Sequence, residues 1–197
     1  DLIEKDEAKE KLGLSGKNVI FFLGYITGYK NIELLIESAN FLKSRAWVIV
    51  IAGGSHPRLS DDPNYRRYLS YLREKALATS KGKILFSGFI TEEEVPLYFS
   101  AADLVVFPYE ICMHASGPLS LSISYEKPFL ISDSFGETVA SRDVVFRNNP
   151  KELASKIDQY FADPNFRLKS LMCSHKFKSE CSWGNVANKT LRLYEGI

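Results

Sequence analysis

A doubly wound α/β fold, a parallel sheet of about six strands with helices on both faces, is the architecture this sequence predicts. Three observations point to it. Short runs of β-branched, aromatic and aliphatic residues recur without polar alternation, as in Asn18-Val19-Ile20-Phe21-Phe22-Leu23 and Trp47-Val48-Ile49-Val50-Ile51. Strands buried on both faces have that pattern. Segments of helical apolar spacing separate the runs, and the first two runs end on glycine, at Gly24 and at Gly53-Gly54.

The elements follow in order. Residues 5 to 12 read as a short helix ahead of the first strand. Ile32, Leu34, Leu35, Ile36, Ala39, Phe41 and Leu42 then fall at helical spacing, which predicts a helix between the first and second strands. After a polar loop, Tyr65, Tyr68, Leu69, Leu72, Ala76 and Leu77 mark an amphipathic helix, and Ile84-Leu85-Phe86 is the third strand. Thr91 and Glu94 form a capping-box pattern that opens a helix through Val95, Leu97, Tyr98 and Phe99, with Pro96 in its tolerant first turns. The fourth strand is Asp103 to Pro108, and a helix from Gly117-Pro118 to about Tyr125 leads to the fifth, Pro128 to Ser132. Val144-Val145-Phe146 is a sixth, followed by helices near 150 to 162, 164 to 177 and 185 to 195.

The bulk numbers bound the function. A chain of 197 residues fits one domain, able to bury about 70% of its unfolded surface. Lys plus Arg at 25 against Asp plus Glu at 24 leaves a net charge of +1, so no global field favours nucleic acid or an anionic membrane. Any anion site must be local. Cys112, Cys173 and Cys181 give an odd count without metal-ligand pairing, which fits a reducing, cytoplasmic compartment; peripheral membrane attachment of a longer protein is left open. No apolar run approaches the roughly 20 residues a membrane span needs. The chain starts at Asp1 rather than Met, and the expectation is of a fragment.

Three motifs could carry chemistry. Gly24-Tyr25-Ile26-Thr27-Gly28-Tyr29-Lys30-Asn31 joins the first strand to a helix. Glycine lets a ligand approach the backbone, and a lysine beside a helix N-terminus adds a full charge to the dipole, which suits a diphosphate. The same residues would equally make a plain βα turn with a solvated lysine. Ala115-Ser116-Gly117-Pro118-Leu119 opens a helix with free amides, as a second anion cradle or simply as a cap. Gly88-Phe89-Ile90 could meet a nucleobase, with Phe89 otherwise a core residue. His56, His114 and His175 have no ligand spacing and no Asp-x-Asp pair exists, so no metal is expected. Cys112 and His114 could form a nucleophile and base, and the acidic run Glu92-Glu93-Glu94 is read as first-turn charge.

Taken in order, these pieces resemble the C-terminal domain of GT-B glycosyltransferases, in particular the group 1 (family 4) retaining enzymes. Gly24 with Lys30 matches that family's glycine and lysine; Ile84 to Gly88 its hydrophobic-Phe-x-Gly strand; Ala102-Asp103-Leu104 through Pro108 its Ala-Asp-Leu…Pro strand. Tyr125 to Ile131 looks like its Gly-Lys-Pro-Val-Ile entry, Asp133 to Glu137 like its Gly-Gly-x-x-Glu turn, and Ser182-Trp183 with Val186-Ala187 and Leu193-Tyr194 like its last helix. The resemblance implies that residues 1 to 197 are a single Rossmann-like, nucleotide-sugar-binding domain, one half of a GT-B fold. An N-terminal acceptor domain is expected to be absent from this chain, which alone would be incomplete and inactive. It further implies hexose transfer from a nucleotide-diphosphate sugar, a co-substrate rather than a cofactor, to a glycan, lipid or small acceptor. Lys30 would neutralise the diphosphate, the amides around Ser116 and Gly117, just ahead of Pro118, would hold its phosphates, and Gly88, Phe89 and Ile90 would meet the base.

The departures are specific. An arginine common after the first glycine is Tyr25 here, and two glutamates that hold sugar and ribose hydroxyls register on Met113 and Leu121. Glu110 is the candidate substitute for the lost pair. No catalytic residue is assigned. The competing readings are a degenerate, non-catalytic binding subunit, motivated by Met113 and Leu121, and a two-domain nucleotide-sugar epimerase, for which the catalytic carboxylates and histidine are not seen.

Overall fold

The computed structural model describes residues 3–43, 46–79, 83–111, 116–138 and 141–196. Helix α1 (Lys5–Lys11) precedes strand β1 (Asn18–Leu23), which leads through a 3-10 turn at Gly28–Lys30 into α2 (Ile32–Ser38). Strand β2 (Trp47–Ala52), helix α3 (Pro63–Leu77), strand β3 (Lys83–Gly88), helix α4 (Val95–Ala101) and strand β4 (Leu104–Phe107) follow. Helix α5 (Gly117–Ser124), strand β5 (Phe129–Ser132) and strand β6 (Val145–Phe146) complete the sheet, and α6 (Pro150–Ala162), α7 (Pro164–Glu180) and α8 (Trp183–Glu195) end the chain.

All six strands are parallel, in the order β3-β2-β1-β4-β5-β6. This is the expected doubly wound sheet. The order reverses between β1 and β4, and in open α/β sheets the crevice outside the carboxyl ends at that reversal is where ligands bind. The unalternated runs read in the sequence are the buried strands: Val19 to Leu23, Trp47 to Ala52, Leu104 to Phe107 and Phe129 to Ser132. Strand β3 lies at the edge and is only half buried.

Asp103, just ahead of β4, ties four elements together. Its carboxylate pairs with Lys5, accepts from Lys9 at 2.7 Å and from the Val19 N–H at 2.7 Å. Its own N–H donates to the Val19 carbonyl at 2.9 Å, and its carbonyl accepts the Tyr160 hydroxyl at 2.8 Å. Lys9, nearly buried, also donates to the Lys17 carbonyl at 2.8 Å. Burial alone would raise the Asp103 carboxyl; the two ammoniums and the Val19 N–H outweigh it and hold the group below the usual carboxylate range.

Three local expectations are corrected. The helix read through Leu42 ends at Ser38 and tightens into a 3-10 turn at Ala39–Phe41. The Ser38 hydroxyl donates to the Leu35 carbonyl at 2.7 Å, and the tighter turn leaves Phe41 exposed while Leu42 returns to the core. The capping box forms only by half: the Glu94 carboxylate accepts the Thr91 N–H at 2.8 Å, the Thr91 hydroxyl bonds Glu93, and regular helix begins at Val95. Leu77, read as part of an apolar face, is exposed at the end of α3.

Removing Asp103 strands a nearly buried Lys9, a change that costs about 3 kcal/mol where a buried pair is broken. Asp103→Ala should therefore lower the denaturant midpoint by an amount of that order and strip α1 amides of hydrogen-exchange protection. Because the carboxyl is depressed, its contribution is present above the unfolded-state value near 3.9 and fades as pH falls through the folded value. A variant with unchanged stability at pH 7 would contradict the anchoring role.

Candidate functional site

At the reversal point of the sheet, a cavity of about 270 Å³ is lined by Leu23, Gly24, Tyr25, Lys30, Ala52, Gly53, Gly54, Phe89, Ile90 and Pro118. Its walls come from the carboxyl ends of β1, β2 and β3 and from the first turn of α5. Six residues singled out in the sequence, Gly24, Tyr25, Lys30, Phe89, Ile90 and Pro118, meet here.

Lys30 is the electrostatic centre. Its side chain is buried, with the residue 7% exposed, and among the described residues no carboxylate lies within ion-pair distance of it. Its ammonium sits 5.9 Å from the Tyr29 ring centroid and 6.0 Å from that of Tyr109, two weak electrostatic contacts. Burial pushes the ammonium from 10.5 down to about 8, so it is still mostly charged at neutral pH. The 3-10 turn positions it: the Lys30 N–H donates to the Thr27 carbonyl at 3.1 Å, and Asn31, in the left-handed region, caps α2 by accepting the Leu34 N–H.

Gly24 makes room for that ammonium. A Cβ built there would lie 2.6 Å from Lys30 Nζ and 3.4 Å from Pro118 Cγ, and the backbone has φ of +131°. Gly53 is tighter still: a Cβ would meet the Gly24 carbonyl oxygen at 1.9 Å. The floor of the cavity is therefore bare backbone by necessity.

The rim is aromatic. Tyr25 and Phe89 are 36% and 65% exposed, with ring planes 20° apart and centroids 6.4 Å apart. Of the two sequence readings of Phe89, exposure excludes the core one. Ile90 is buried. His56 stands edge-on to Tyr25 at 5.4 Å. Tyr65 fixes both loops from below, its hydroxyl donating to the Ile26 carbonyl at 2.6 Å and accepting the His56 N–H at 2.8 Å.

The remaining sequence candidates lie around this cavity. Gly88 lines an adjoining space of about 200 Å³ that shares Gly53 and Gly54 and also holds Arg73 and Ser87. Ser116 caps α5, its hydroxyl accepting the Leu119 N–H at 3.3 Å, so its oxygen is engaged while the Gly117 amide starts the helix. Glu110 is exposed on the loop after β4; its N–H donates to the Tyr29 carbonyl at 2.8 Å and its charge acts on Tyr68. It is not part of the cavity wall. Leu121 lies on α5, 38% exposed, whereas Cys112, Met113, His114 and Ala115 fall outside the described residues. The loop after β4 is held by Ser132 and Ser134, which donate to the Tyr109 carbonyl at 2.5 and 2.7 Å. Sequence reading missed Gly53-Gly54 as floor and Tyr65 as a clamp. The paired glycines at a strand's carboxyl end were a usable signal for the first; nothing in the sequence marked the second.

Lys30 makes the free site costly, since lowering an ammonium from 10.5 to about 8 corresponds to about 3 kcal/mol. Lys30→Met should therefore raise the melting temperature of the unliganded chain at pH 7. Between the folded and unfolded values, from about 8 to 10.5, wild type loses this handicap as pH rises, so the gap should close. Gly24→Ala should act oppositely and destabilise, by displacing Lys30 and straining the backbone. A Lys30→Met variant less stable than wild type at pH 7 would contradict this account.

Comparison with known proteins agrees with this architecture. The family model for glycosyl transferases group 1 matches residues 4–170. A putative glycosyltransferase, YtcC, of Bacillus subtilis is 30% identical over 211 residues, covering 96% of this chain and 48% of its own length. The C-terminal domain of the group 1 family protein LpcC from Francisella tularensis superimposes with a TM-score of 0.72 at 19% identity, covering 90% of this chain and 92% of that domain. Anabaena HepE, solved with UDP and glucose, gives a TM-score of 0.78 at 13% identity over 98% of this chain and 52% of its own. The two structures share the fold. The chain spans about half the length of the curated relatives it matches. With its six parallel strands, its reversal-point cavity and a family match over most of its length, the chain belongs to the group 1 glycosyltransferases and has the fold of their C-terminal domain.

Proposed function

We propose that this chain binds a nucleotide-diphosphate sugar and forms the donor-binding half of a retaining hexosyltransferase. The observation that carries the proposal is the buried Lys30 ammonium, facing a cavity at the sheet's reversal point without a carboxylate partner among the described residues. A cation held out of water in this way is matched by an anionic ligand rather than by the protein. The diphosphate would lie over Gly24, with one phosphate on Lys30 and the other toward the Gly117 amide at the positive end of α5. The UDP in the HepE structure supports the ligand class.

In such a transfer the sugar–oxygen bond breaks as negative charge gathers on the departing diphosphate. Lys30 and the first turn of α5 would stabilise that charge where it develops, with the leaving group assisting attack on the same face of the sugar. The acceptor, a glycan, lipid or small molecule, would be presented by a second domain in a longer protein, in keeping with relatives twice this length. Glu110 is a candidate sugar contact only if the loop after β4 brings it round, since its backbone is tied to Tyr29.

A second reading, a nucleotide-binding subunit without transfer activity, is favoured by two observations: among the described residues the cavity wall carries no carboxylate, and Leu121 is apolar. Donor hydrolysis or transfer by the longer protein separates the two readings.

Titration of UDP, GDP and their sugars by calorimetry should show binding to wild type that Lys30→Ala weakens roughly ten- to hundred-fold, the value of one charge-assisted hydrogen bond. Wild-type affinity should fall as pH rises through about 8, where free Lys30 loses its proton, and the Lys30→Ala profile should be flat there. An absence of binding at millimolar concentration would remove the proposal.

A further inference from the structure

We propose that the small space beside the Lys30 cavity is an oxyanion site, in which Arg73 holds one phosphate group, free or as a monoester, against the bulge at Ser87 and Gly88. It is separate from the Lys30 cavity and does not depend on the diphosphate reading.

The charge comes from α3, which carries four cations, and three of them are engaged. Arg66 pairs with Asp61 and donates to the Ser60 carbonyl, Arg67 donates to Asn64, and Lys75 meets Glu33 and Glu37. Arg73 differs: among the described residues its guanidinium has no hydrogen bond and no ion pair, and no carboxylate lines the space. One turn earlier, Leu69 is buried and lines the same space. Helical side chains lean toward the helix N-terminus, so the Arg73 stem runs back over Leu69 toward the carboxyl end of β2.

The opposite wall is an irregularity of the edge strand. The pairing of β2 with β3 steps from Ile51 opposite Phe86 to Ala52 opposite Gly88, which leaves Ser87 as an extra residue without an opposite number. Gly88 then takes a φ of +78°. An edge bulge interrupts the ladder and re-aims its residues, and here Ser87 and Gly88 both face the space. The Ser87 hydroxyl makes one long bond, to the Gly88 carbonyl at 3.3 Å, and is free to turn its proton to an incoming oxygen. Ser55 adds a second hydroxyl, and Ile26, Leu69 and Phe86 close the space with apolar surface, where charge-assisted bonds are stronger than in water.

Size and donor geometry select the ligand. A space of about 200 Å³ holds roughly six waters at about 30 Å³ each, and lies below the range of about 300–1,000 Å³ that whole ligands occupy. One phosphate group fits, whereas a nucleotide does not. A guanidinium meets phosphate through two parallel N–H bonds, a fork that lysine cannot reproduce.

The test follows the Arg73 Nε–H and the amides of Ser55, Ser87 and Gly88 by NMR in wild type, Arg73→Gln, Arg73→Lys and Lys30→Ala. Each is titrated with inorganic phosphate, methyl phosphate and, at matched ionic strength, chloride. Phosphate should shift these resonances in wild type and in Lys30→Ala alike, and Arg73→Gln should weaken it about ten- to hundred-fold. Arg73→Lys should also bind more weakly than wild type, since it keeps the charge and loses the fork. Arg73 is exposed, so amides remote from the space should be unmoved in its variants, which reports that they are folded. Methyl phosphate binding as well as phosphate would identify a monoester as the ligand, and phosphate binding alone the free ion. Shifts that vanish in Lys30→Ala, that chloride reproduces, or that Arg73→Lys retains in full would overturn the site, as would no shift at millimolar phosphate. Loss of pyrophosphate binding at Lys30 with the Arg73 response intact would remove the diphosphate reading alone.

Discussion

A lysine ammonium taken out of water, with no carboxylate among the described residues to meet it, governs the arrangement around the cavity. Gly24, at φ of +131°, holds a backbone conformation that strains any side chain and leaves room for Lys30 Nζ, and Gly53 has none because the Gly24 carbonyl lies against it. The 3-10 turn from Gly28 to Lys30 and the left-handed Asn31 hold the lysine stem in that niche. On the proposed reading, the stability lost by burying the charge would be returned when an anion binds.

The contrast with Asp103 shows how the same fold treats two buried charges differently. Asp103 is fully met, by two ammoniums and a backbone N–H, and its work is to bind α1, β1, β4 and α6 into one body. Among the described residues Lys30 is met by the ring faces of Tyr29 and Tyr109, and it lies at the opposite, carboxyl ends of the strands. The satisfied charge builds the scaffold, and the one without a carboxylate among the described residues lines the cavity. The Asp of the Ala-Asp-Leu sequence is thus structural, although it sits in the same family pattern as the glycine and lysine.

The sheet was legible because its central strands are buried on both faces, which leaves unalternated apolar runs such as Val19 to Leu23. The helix ends were less so: Ser38 could bond its own turn, and Thr91 turned to Glu93 instead of completing the cap, choices of side-chain hydrogen bonding that a spacing pattern does not register. At the site, Lys30 and Gly24 could be read together because the glycine and the charge flank one loop. The convergence of Phe89 with Tyr25, some sixty positions apart, depends on how β1 and β3 are brought to one end of the sheet, and Gly88 was carried instead into the neighbouring space. Tyr65 looked like any helix-face aromatic, since its hydroxyl's partners come from two other loops.

The proposed diphosphate site turns on Lys30, a buried ammonium with no carboxylate partner among the described residues. Its most direct test is the titration of Lys30 itself, followed through its side-chain resonances in selectively labelled protein, with and without inorganic pyrophosphate. The midpoint should lie near 8 in the free chain and move upward once the anion is bound. A midpoint at the ordinary lysine value of 10.5 that pyrophosphate leaves in place would contradict it.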